Sequence, residues 1–314
     1  MRILILGAGA TGGYFGGRLA QAGVDVSFLV RPARAAQLRS NGLRIRSPRG
    51  DATIAVTALT ADTLASVIDA QPFDLLLLSC KAYDLGNALE AVVPAMHTDT
   101  SVLPILNGLR HYPLLDTRFG AEHVLGGLCF INAVLDHDGT VQHLAKPASL
   151  TFGERDGRDS DSARVRAFAA ACTQAGLDHL ATPRIAQEQW IKYTFLTTLA
   201  AATCLMRAPI GAIVASDDGV ALLRGLYAEC IAVAETAGEP IPDTAQARAL
   251  QLLTQPGSPM KASMLRDLEA GRQVEAQHIV GDMLERARSA GHSTPLLMAA
   301  YCHLQAYQAS LPER

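Results

Sequence analysis

Hydrophobic positions follow two different patterns along the chain, and the change between them comes near residue 183. In the first part, short apolar runs alternate with stretches of helical spacing. Strands are predicted at residues 2–6, 25–30, 74–80 and 101–106, and helices at residues 10–22, 85–96 and 110–119. Near-continuous apolar runs are typical of strands buried on both faces, and strands alternating with helices form right-handed βαβ units. The pattern therefore predicts a doubly wound parallel sheet.

Two further stretches of the first part alternate like antiparallel strands. Residues 43–56 surround the turn Ser47-Pro48-Arg49-Gly50. Residues 124–135 lead into a turn at residues 136–139, and the chain returns through residues 140–144 and 149–152. Turn residues between alternating apolar segments indicate hairpins. We expect these strands to extend the parallel sheet at its far side.

After residue 183 the strand pattern disappears. Ala, Leu, Met, Gln and Arg dominate, apolar residues recur at helical spacing, and Gly and Pro mark the breaks between about six helices. The predicted architecture is an α/β fold: a Rossmann-type sheet domain over residues 1–183, followed by an all-helical domain over residues 184–314.

Composition excludes several classes of partner. The 314 residues include 27 Lys plus Arg and 30 Asp plus Glu, for a formal net charge of -3. Nucleic acids and anionic membranes attract a basic face, so neither is an expected partner. The six cysteines include no C-x-x-C pair and the nine histidines show no ligand spacing, so we expect neither disulfides nor a metal site. The first apolar run is too short for a secretion signal, which predicts a cytoplasmic location.

A glycine-rich turn follows the first predicted strand. Residues 7–12 read Gly7-Ala8-Gly9-Ala10-Thr11-Gly12, a G-x-G-x-x-G motif with a strand before it and a helix after it. In this setting the first glycine makes the tight turn, the second admits a pyrophosphate, and the third lets the helix lie close to the strand. Backbone N–H groups and the helix N-terminus hold the phosphate charge. The motif predicts a dinucleotide site.

The end of the second strand indicates which dinucleotide binds. An NAD site usually places Asp or Glu there for the ribose 2′-hydroxyl, but this chain has Arg31, with Arg34 one turn later. A guanidinium matches a 2′-phosphate, which favours NADP(H) as cofactor. The alternative is that Arg31 is a solvated arginine at a strand end.

One lysine lies in an otherwise uncharged helix. Residues 190–206 carry a single charge, Lys192. A helix that is apolar nearly all round is buried, so this lysine must snorkel, pair or line a cavity, and burial lowers a lysine pKa toward the range useful for proton transfer. Further on, Ser263 and Glu275 are a donor and an acceptor that could bind a substrate carboxylate or hydroxyl, although by themselves they read as surface residues.

Together these features resemble the ketopantoate reductase family over essentially the whole chain. The markers occur in order: the glycine loop at residues 7–17, Ser79-Cys80-Lys81-Ala82-Tyr83-Asp84, Leu106-Asn107-Gly108, Trp190-Ile191-Lys192, Ser263-Met264-Leu265-Arg266-Asp267, and Glu275. The resemblance implies an NADPH-dependent reduction of 2-dehydropantoate to pantoate in pantothenate and coenzyme A synthesis.

The resemblance also implies roles for individual residues. Lys192 matches the general acid that protonates the carbonyl oxygen, and Glu275 matches the glutamate that binds the hydroxyl. Asn107 matches an asparagine that contacts the nicotinamide side of the cofactor and helps place the substrate, and Lys81 lines the same crevice. Ser263 matches the serine that holds the substrate carboxylate.

Three positions depart from the family pattern. Leu196, Ala200 and Met260 stand where the family carries asparagines that contribute to the substrate pocket. Apolar side chains remove hydrogen bonds that a polar substrate would use. An alternative is therefore a paralogous reductase of a less polar 2-oxo acid or related carbonyl, and another is a non-catalytic NADP(H)-binding sensor. The partner in the enzymatic case is a small 2-oxo acid, and the apolar helical domain leaves room for a homodimer.

Overall fold

The computed structural model describes residues 1–68, 71–156 and 162–312. Contacts divide the chain into two compact units. The first comprises Met1–Leu106 and His111–Ile185, and the second comprises Asn107–Arg110 and Ala186–Arg314. The short segment Asn107–Arg110 thus belongs to the second unit although it lies within the first part of the sequence.

The first unit contains ten strands and six helices in its described residues. The strands are β1 (Arg2–Leu6), β2 (Asp25–Leu29), β3 (Leu43–Arg46), β4 (Ala52–Ile54), β5 (Thr57–Leu59), β6 (Leu75–Leu78), β7 (Ser101–Pro104), β8 (Gly126–Leu135), β9 (Val141–Gly153) and β10 (Asp178–Ala181). The helices are α1 (Ala10–Gln21), α2 (Pro32–Asn41), α3 (Ala61–Ile68), α4 (Leu85–Val92), α5 (His111–Phe119) and α6 (Ala163–Gln174).

The parallel sheet has the strand order β5-β2-β1-β6-β7. Leu4 of β1 pairs with Ser27 of β2 on one side and with Leu76 of β6 on the other. All four residues of β6 are fully buried, as expected of a central strand covered on both faces. The sequence-based prediction of a doubly wound parallel sheet is confirmed, with α2, α3 and β5 added to the predicted elements.

The antiparallel strands do not extend this sheet, and that prediction was wrong. They form a second sheet of order β10-β9-β3-β4, in which β8 pairs with β9. The two hairpins are joined by parallel pairing of β3 with β9, at Ile45 and Val141. The physical reason is that α1 is buried on both sides, so its second side needs a cover of its own.

Glycines let α1 lie close to both sheets. A Cβ at Gly16 would come within 2.8 Å of the Phe28 ring of the parallel sheet. On the other side, a Cβ at Gly17 would come within 2.8 Å of Leu43 and Ile45 of the second sheet. The same hydrophobic core contains side chains from both sheets and α1. The adjacent glycines Gly16 and Gly17 therefore set the distances of α1 from the two sheets.

The second unit is helical in its described residues. Its helices are α7 (Ile185–Met206, whose first residue belongs to the first unit), α8 (Ile210–Val214), α9 (Gly219–Thr236), α10 (Asp243–Leu253), α11 (Ser263–Glu269), α12 (Asp282–Ser289) and α13 (Pro295–Ala309). A π-helical turn, Gln277–Gly281, leads directly into α12. Four threonines of α7 are fully buried, and Thr194, Thr198 and Thr203 donate their hydroxyls to backbone carbonyls one turn earlier. These three threonines of α7 are thus buried with their hydroxyls paired.

Gly16→Ala should lower the free energy of unfolding. Alanine gains about 1 kcal/mol of helix propensity over glycine, but overpacking against the fully buried Phe28 and Ile5 costs about 1–3 kcal/mol. Gly86→Ala in α4 is the matched control, because a Cβ there meets nothing within 4 Å. Urea unfolding should show Gly16→Ala destabilised and Gly86→Ala unchanged or stabilised. Equal effects of the two substitutions would contradict the close approach of α1 to the sheet.

Candidate functional site

The glycine-rich turn connects β1 to α1. Gly7 has a φ of 95°, which favours glycine, and its N–H donates to the Leu29 carbonyl oxygen at 3.0 Å. A Cβ at Gly12 would collide with the Gly7 carbonyl oxygen and with Ser79 Oγ. Gly9 is the N-cap residue of α1 and has no side chain that could occupy the N-terminus of the helix. The first turn of α1 contains no acidic residue. Because first-turn N–H groups have no intrahelical acceptor, this geometry suits an anion.

Arg34 supports the loop and is not available as a second phosphate ligand in this arrangement. Its Nη2 and Nε donate to the Ala8 carbonyl oxygen at 2.9 and 3.2 Å, and its Nη1 donates to the Gly139 carbonyl oxygen at 3.0 Å. Burial, with a smaller effect of Arg44, lowers the pKa of Arg34 from its usual value. Arg34 thus connects the glycine loop to the turn between β8 and β9.

Arg31 forms an ion pair that the sequence analysis missed. It follows β2 by two residues, and its side chain is 80% exposed. Its Nη2 lies 3.1 Å from Oδ1 of Asp84, at the end of the 3-10 turn Ala82–Asp84 that follows β6. Because β2 and β6 flank β1, the pair bridges the carboxyl end of β1, where the glycine loop begins. Lys81 lies half-buried just before the same 3-10 turn, and its carbonyl accepts from the Asp84 N–H.

Lys192 and Asn107 are in direct contact in the second unit. The Lys192 ammonium donates to Asn107 Oδ1 at 3.0 Å. Lys192 is only 9% exposed, and Asn107 is half-buried. The structure therefore brings together two of the residues predicted from the sequence, which stand 85 positions apart.

The segment carrying Asn107 packs against the π-helical turn. Gly108 has a φ of 75°, and a Cβ there would lie 2.8 Å from the His278 carbonyl oxygen and 3.7 Å from the Tyr193 ring. Side chains larger than hydrogen are excluded at this contact. Helical insertions of the π type are frequent at functional sites because they redirect side chains locally. Segments containing Asn107, Lys192 and His278 thus meet around one glycine.

Asp282 is the acceptor at the centre of this meeting point. The Tyr193 hydroxyl donates at 2.9 Å both to Asp282 Oδ2 and to the Ile279 carbonyl oxygen. Arg286 Nε donates to the same Oδ2 at 2.9 Å, and Arg110 lies 3.9 Å from Oδ1. Burial together with the Asp282 carboxylate raises the pKa of Tyr193 well above its usual value, so its hydroxyl stays a donor. One buried carboxylate thus contacts both Tyr193, which follows Lys192, and Arg110, which lies in the same four-residue segment as Asn107.

Glu275 lies two residues before the π-helical turn and is buried, with 8% of its surface exposed. Its carbonyl accepts from the Ile279 N–H at 3.1 Å. Burial lowers the pKa of His278, and the charges of Glu275 and Asp282 oppose that shift without cancelling it. The buried carboxylate of Glu275 is therefore placed beside an imidazole that favours its neutral form.

Ser263 is the residue that the family resemblance assigns to the substrate carboxylate. It is the first residue of α11 and is exposed. Within the described residues, its side chain makes no hydrogen bond to Lys192, Asn107 or Glu275. Ser263 therefore enters the site only through the family resemblance.

The three positions that depart from the family pattern differ in burial. Leu196 is half-buried and Ala200 fully buried, one and two turns after Lys192 on α7. Met260 is half-buried, and its carbonyl accepts from the Ile210 N–H at 3.0 Å. Leu196 and Ala200 thus continue the helix face of Lys192 with apolar surface.

Sequence reasoning missed Asp84, Tyr193 and Asp282. Asp84 ends the marker segment of residues 79–84 but has no role that the sequence indicates, and Tyr193 adjoins Lys192 in a stretch that is typical of a core. Asp282 was indistinguishable from surface acids near a helix start. Asp84 and Tyr193 are polar residues within or beside the marker segments, and this position does not distinguish them from ordinary neighbours.

These observations define a Rossmann-type oxidoreductase fold joined to a helical unit. Models of known families match both parts: "Ketopantoate reductase PanE/ApbA" over residues 3–157 and "Ketopantoate reductase PanE/ApbA C terminal" over residues 184–308. The chain belongs to the ketopantoate reductase family and is an oxidoreductase. No helix in the described part of the chain is long and apolar enough to cross a membrane.

Relatives match over nearly their full lengths. An uncharacterized oxidoreductase, YkpB of Bacillus subtilis, is 36% identical and covers 98% of this chain and 99% of its own. A 2-dehydropantoate 2-reductase of Mesorhizobium japonicum is 30% identical over 95% of each chain. A crystal structure of 2-dehydropantoate 2-reductase from Geobacter metallireducens has a TM-score of 0.87 and 31% identity, and covers 99% of this chain and 100% of that one.

Removal of the Asp282 carboxylate should destabilise the second unit. Asp282→Ala removes the acceptor of Arg286 Nε, one of the two acceptors of the Tyr193 hydroxyl, and one of the two carboxylates near Arg110. Hydrogen bonds to charged groups are each worth about 1.5–3 kcal/mol. We expect the free energy of unfolding in urea to fall by about 2 kcal/mol, because both arginines are partly exposed. Glu285→Gln is the control: Glu285 is 61% exposed and pairs with the same Arg110, so the expected loss is below about 1 kcal/mol. A loss for Asp282→Ala no larger than that of the control would contradict the central role of this carboxylate.

Proposed function

We propose that this protein is an NADPH-dependent reductase of a small 2-oxo acid, with 2-dehydropantoate as the leading substrate and pantoate, an intermediate of pantothenate and coenzyme A synthesis, as the product. The observation that carries the proposal is the 3.0 Å hydrogen bond from the buried Lys192 ammonium to Asn107. A cation held in place in a buried site is the group that a carbonyl reduction needs at the oxygen. The family membership and the 2-dehydropantoate 2-reductases among the relatives support this reaction.

The glycine loop fits the dinucleotide. Gly7, Ala8, Gly9, Ala10, Thr11 and Gly12 present backbone N–H groups with no side chain larger than threonine and no acid in the first helical turn, which suits a pyrophosphate. The exposed guanidinium of Arg31 fits the 2′-phosphate that distinguishes NADPH from NADH. When bound, the reduced nicotinamide supplies the hydride. Asn107 and Lys81 are the residues that we assign to the nicotinamide end of the dinucleotide.

Lys192 supplies the proton. As the carbonyl carbon is reduced, negative charge develops on its oxygen, and the Lys192 ammonium both stabilises that charge and transfers a proton to it. The carbonyl oxygen thereby becomes the product hydroxyl. Asn107 Oδ1 fixes the direction of the ammonium before substrate binds. The buried Glu275 carboxylate accepts from the product hydroxyl, and Ser263 donates to the substrate carboxylate.

A second candidate, a reductase of a less polar 2-oxo acid, is favoured by Leu196, Ala200 and Met260. Leu196 and Ala200 continue the helix face of Lys192 with apolar surface in place of amide groups. A pocket lacking amide donors loses discrimination in favour of a hydroxylated substrate, because the substrate hydroxyl then goes unpaired. Cytoplasmic location and homodimeric assembly stay predictions for either candidate.

A panel of 2-oxo acids separates the two candidates. Purified protein is assayed for NADPH oxidation with 2-dehydropantoate and with unhydroxylated aliphatic and aromatic 2-oxo acids. The leading proposal expects the highest kcat/KM for 2-dehydropantoate by at least about tenfold, which corresponds to the net free energy of one hydrogen bond to the substrate hydroxyl. A higher kcat/KM for an unhydroxylated acid would favour the second candidate.

Lys192→Ala should lower kcat by about 10²–10⁴, the usual contribution of a positioned general acid. NADPH binding, followed by nicotinamide fluorescence, should stay within about twofold of the wild-type value, because Lys192 donates the proton and does not hold the phosphates. Lys146→Ala, at an exposed lysine of β9, is the control and should leave both quantities unchanged. Near-normal turnover of Lys192→Ala would refute the assignment.

A further inference from the structure

The ribose end of the proposed dinucleotide site contains an acid as well as a base. In Rossmann-type folds the residue at the end of the second strand meets the ribose 2′ position, as an acid for a hydroxyl or with a nearby arginine for a phosphate. Here Arg31 occupies that position, and Asp84 Oδ1 lies 3.1 Å from its Nη2. The acid that is missing from β2 is thus supplied after β6, from the opposite side of β1.

This pair has opposite consequences for the two nicotinamide dinucleotides. A 2′-phosphate must take the Arg31 guanidinium from Asp84 and then lie near a carboxylate of like charge, so Asp84 opposes NADPH. A ribose with a free 2′-hydroxyl can donate to a carboxylate, which accepts hydrogen bonds and cannot donate them when ionised. Asp84 therefore supports NADH, while Arg31 supports NADPH.

We propose that Asp84 is a specificity-determining residue that, through its pairing with Arg31, lets the protein bind NADH as well as NADPH and limits its preference for NADPH. The inference rests on the proposed function, because it assumes that a dinucleotide lies on the glycine loop. It goes beyond that function by assigning a role to a residue outside the β2 position that normally sets the choice.

The exposure of the pair limits the size of the effect. The Arg31 and Asp84 side chains are 80% and 39% exposed, and exposed ion pairs contribute modestly because solvent screens them. Such contributions correspond to changes of up to about fivefold in a dissociation constant. The two opposite changes multiply in the ratio of the NADH and NADPH constants, which is the quantity to measure.

Asp84→Asn tests the proposal with little change of shape. We expect the Kd of NADPH to fall two- to fivefold and the Kd of NADH to rise by a similar factor, so that the preference for NADPH grows about tenfold. Arg31→Ala should act in the opposite direction, weakening NADPH at least about tenfold and leaving NADH within about twofold. Titration calorimetry on the full chain gives all these constants. The same measurement with 2′,5′-ADP and 5′-ADP should show the same two directions, because these fragments carry the ribose end without the nicotinamide.

Glu90→Gln is the matched control. Glu90 lies on α4, close in sequence to Asp84, and pairs with Arg118 at 3.2 Å, so the substitution also removes one exposed acid from an ion pair. It should leave the NADH-to-NADPH ratio within about twofold of the wild-type value. An equal shift in Glu90→Gln and Asp84→Asn would overturn the proposal, because it would reduce the effect to net charge.

Other outcomes separate this inference from the proposed function. If the ratio of constants in Asp84→Asn stays within about twofold of wild type while both dinucleotides bind, the role of Asp84 is refuted and the reductase assignment stands. If neither dinucleotide binds to the wild-type protein, the proposed function fails and the inference fails with it.

Discussion

The close packing of α1 between two sheets is the constraint on which the first unit depends. Side chains larger than hydrogen at the contacts would hold α1 farther from each sheet than it lies in the structure. Gly16 has no side chain toward the parallel sheet, and Gly17 has none toward the second sheet. The same helix must begin at a turn tight enough to leave its N-terminal N–H groups exposed to a ligand. Glycines therefore serve two requirements in this loop and helix: Gly7 and Gly12 shape the loop, and Gly16 and Gly17 set the distances of α1 from the two sheets. The glycines within α1 lower its intrinsic helix propensity, so its stability depends on packing against the two sheets.

The parallel sheet could be predicted from the sequence because burial on both faces produces continuous apolar runs such as residues 75–78. The second sheet could not be predicted, because the pairing that joins its two hairpins, Ile45 with Val141, connects segments about one hundred residues apart. The alternation of apolar and polar residues within a hairpin does not indicate which strand pairs with its edge strand. The strand β10 was missed for a related reason. It is an edge strand with a mostly exposed sequence, so it lacks the apolar run of a central strand.

The candidate site shows the same division between local and distant information. Lys192 could be recognised because a single charge in a long apolar helix is an anomaly within one segment. Its hydrogen bond to Asn107 could be suspected only through resemblance, and the Tyr193–Asp282 contact not at all, since a tyrosine in a core and an aspartate near a helix start are each ordinary. The Arg31–Asp84 pair likewise depends on two strands that flank a third. Sequence reasoning thus finds unusual residues, whereas it fails for common residues that become functional through their neighbours.

The passage of Asn107–Arg110 into the second unit has a consequence for how such a protein can be taken apart or assembled by recombination. The backbone passes from one unit to the other three times, although the sequence patterns suggest a single boundary near residue 183. A gene fragment beginning at residue 186 would encode Lys192 and Asp282 without the amide of Asn107 or the guanidinium of Arg110. Exchange of the helical half between relatives would combine a lysine from one parent with its hydrogen-bond acceptor from the other. A helical unit can therefore be exchanged between relatives only when its residues fit the Asn107–Arg110 segment that the first part of the chain supplies.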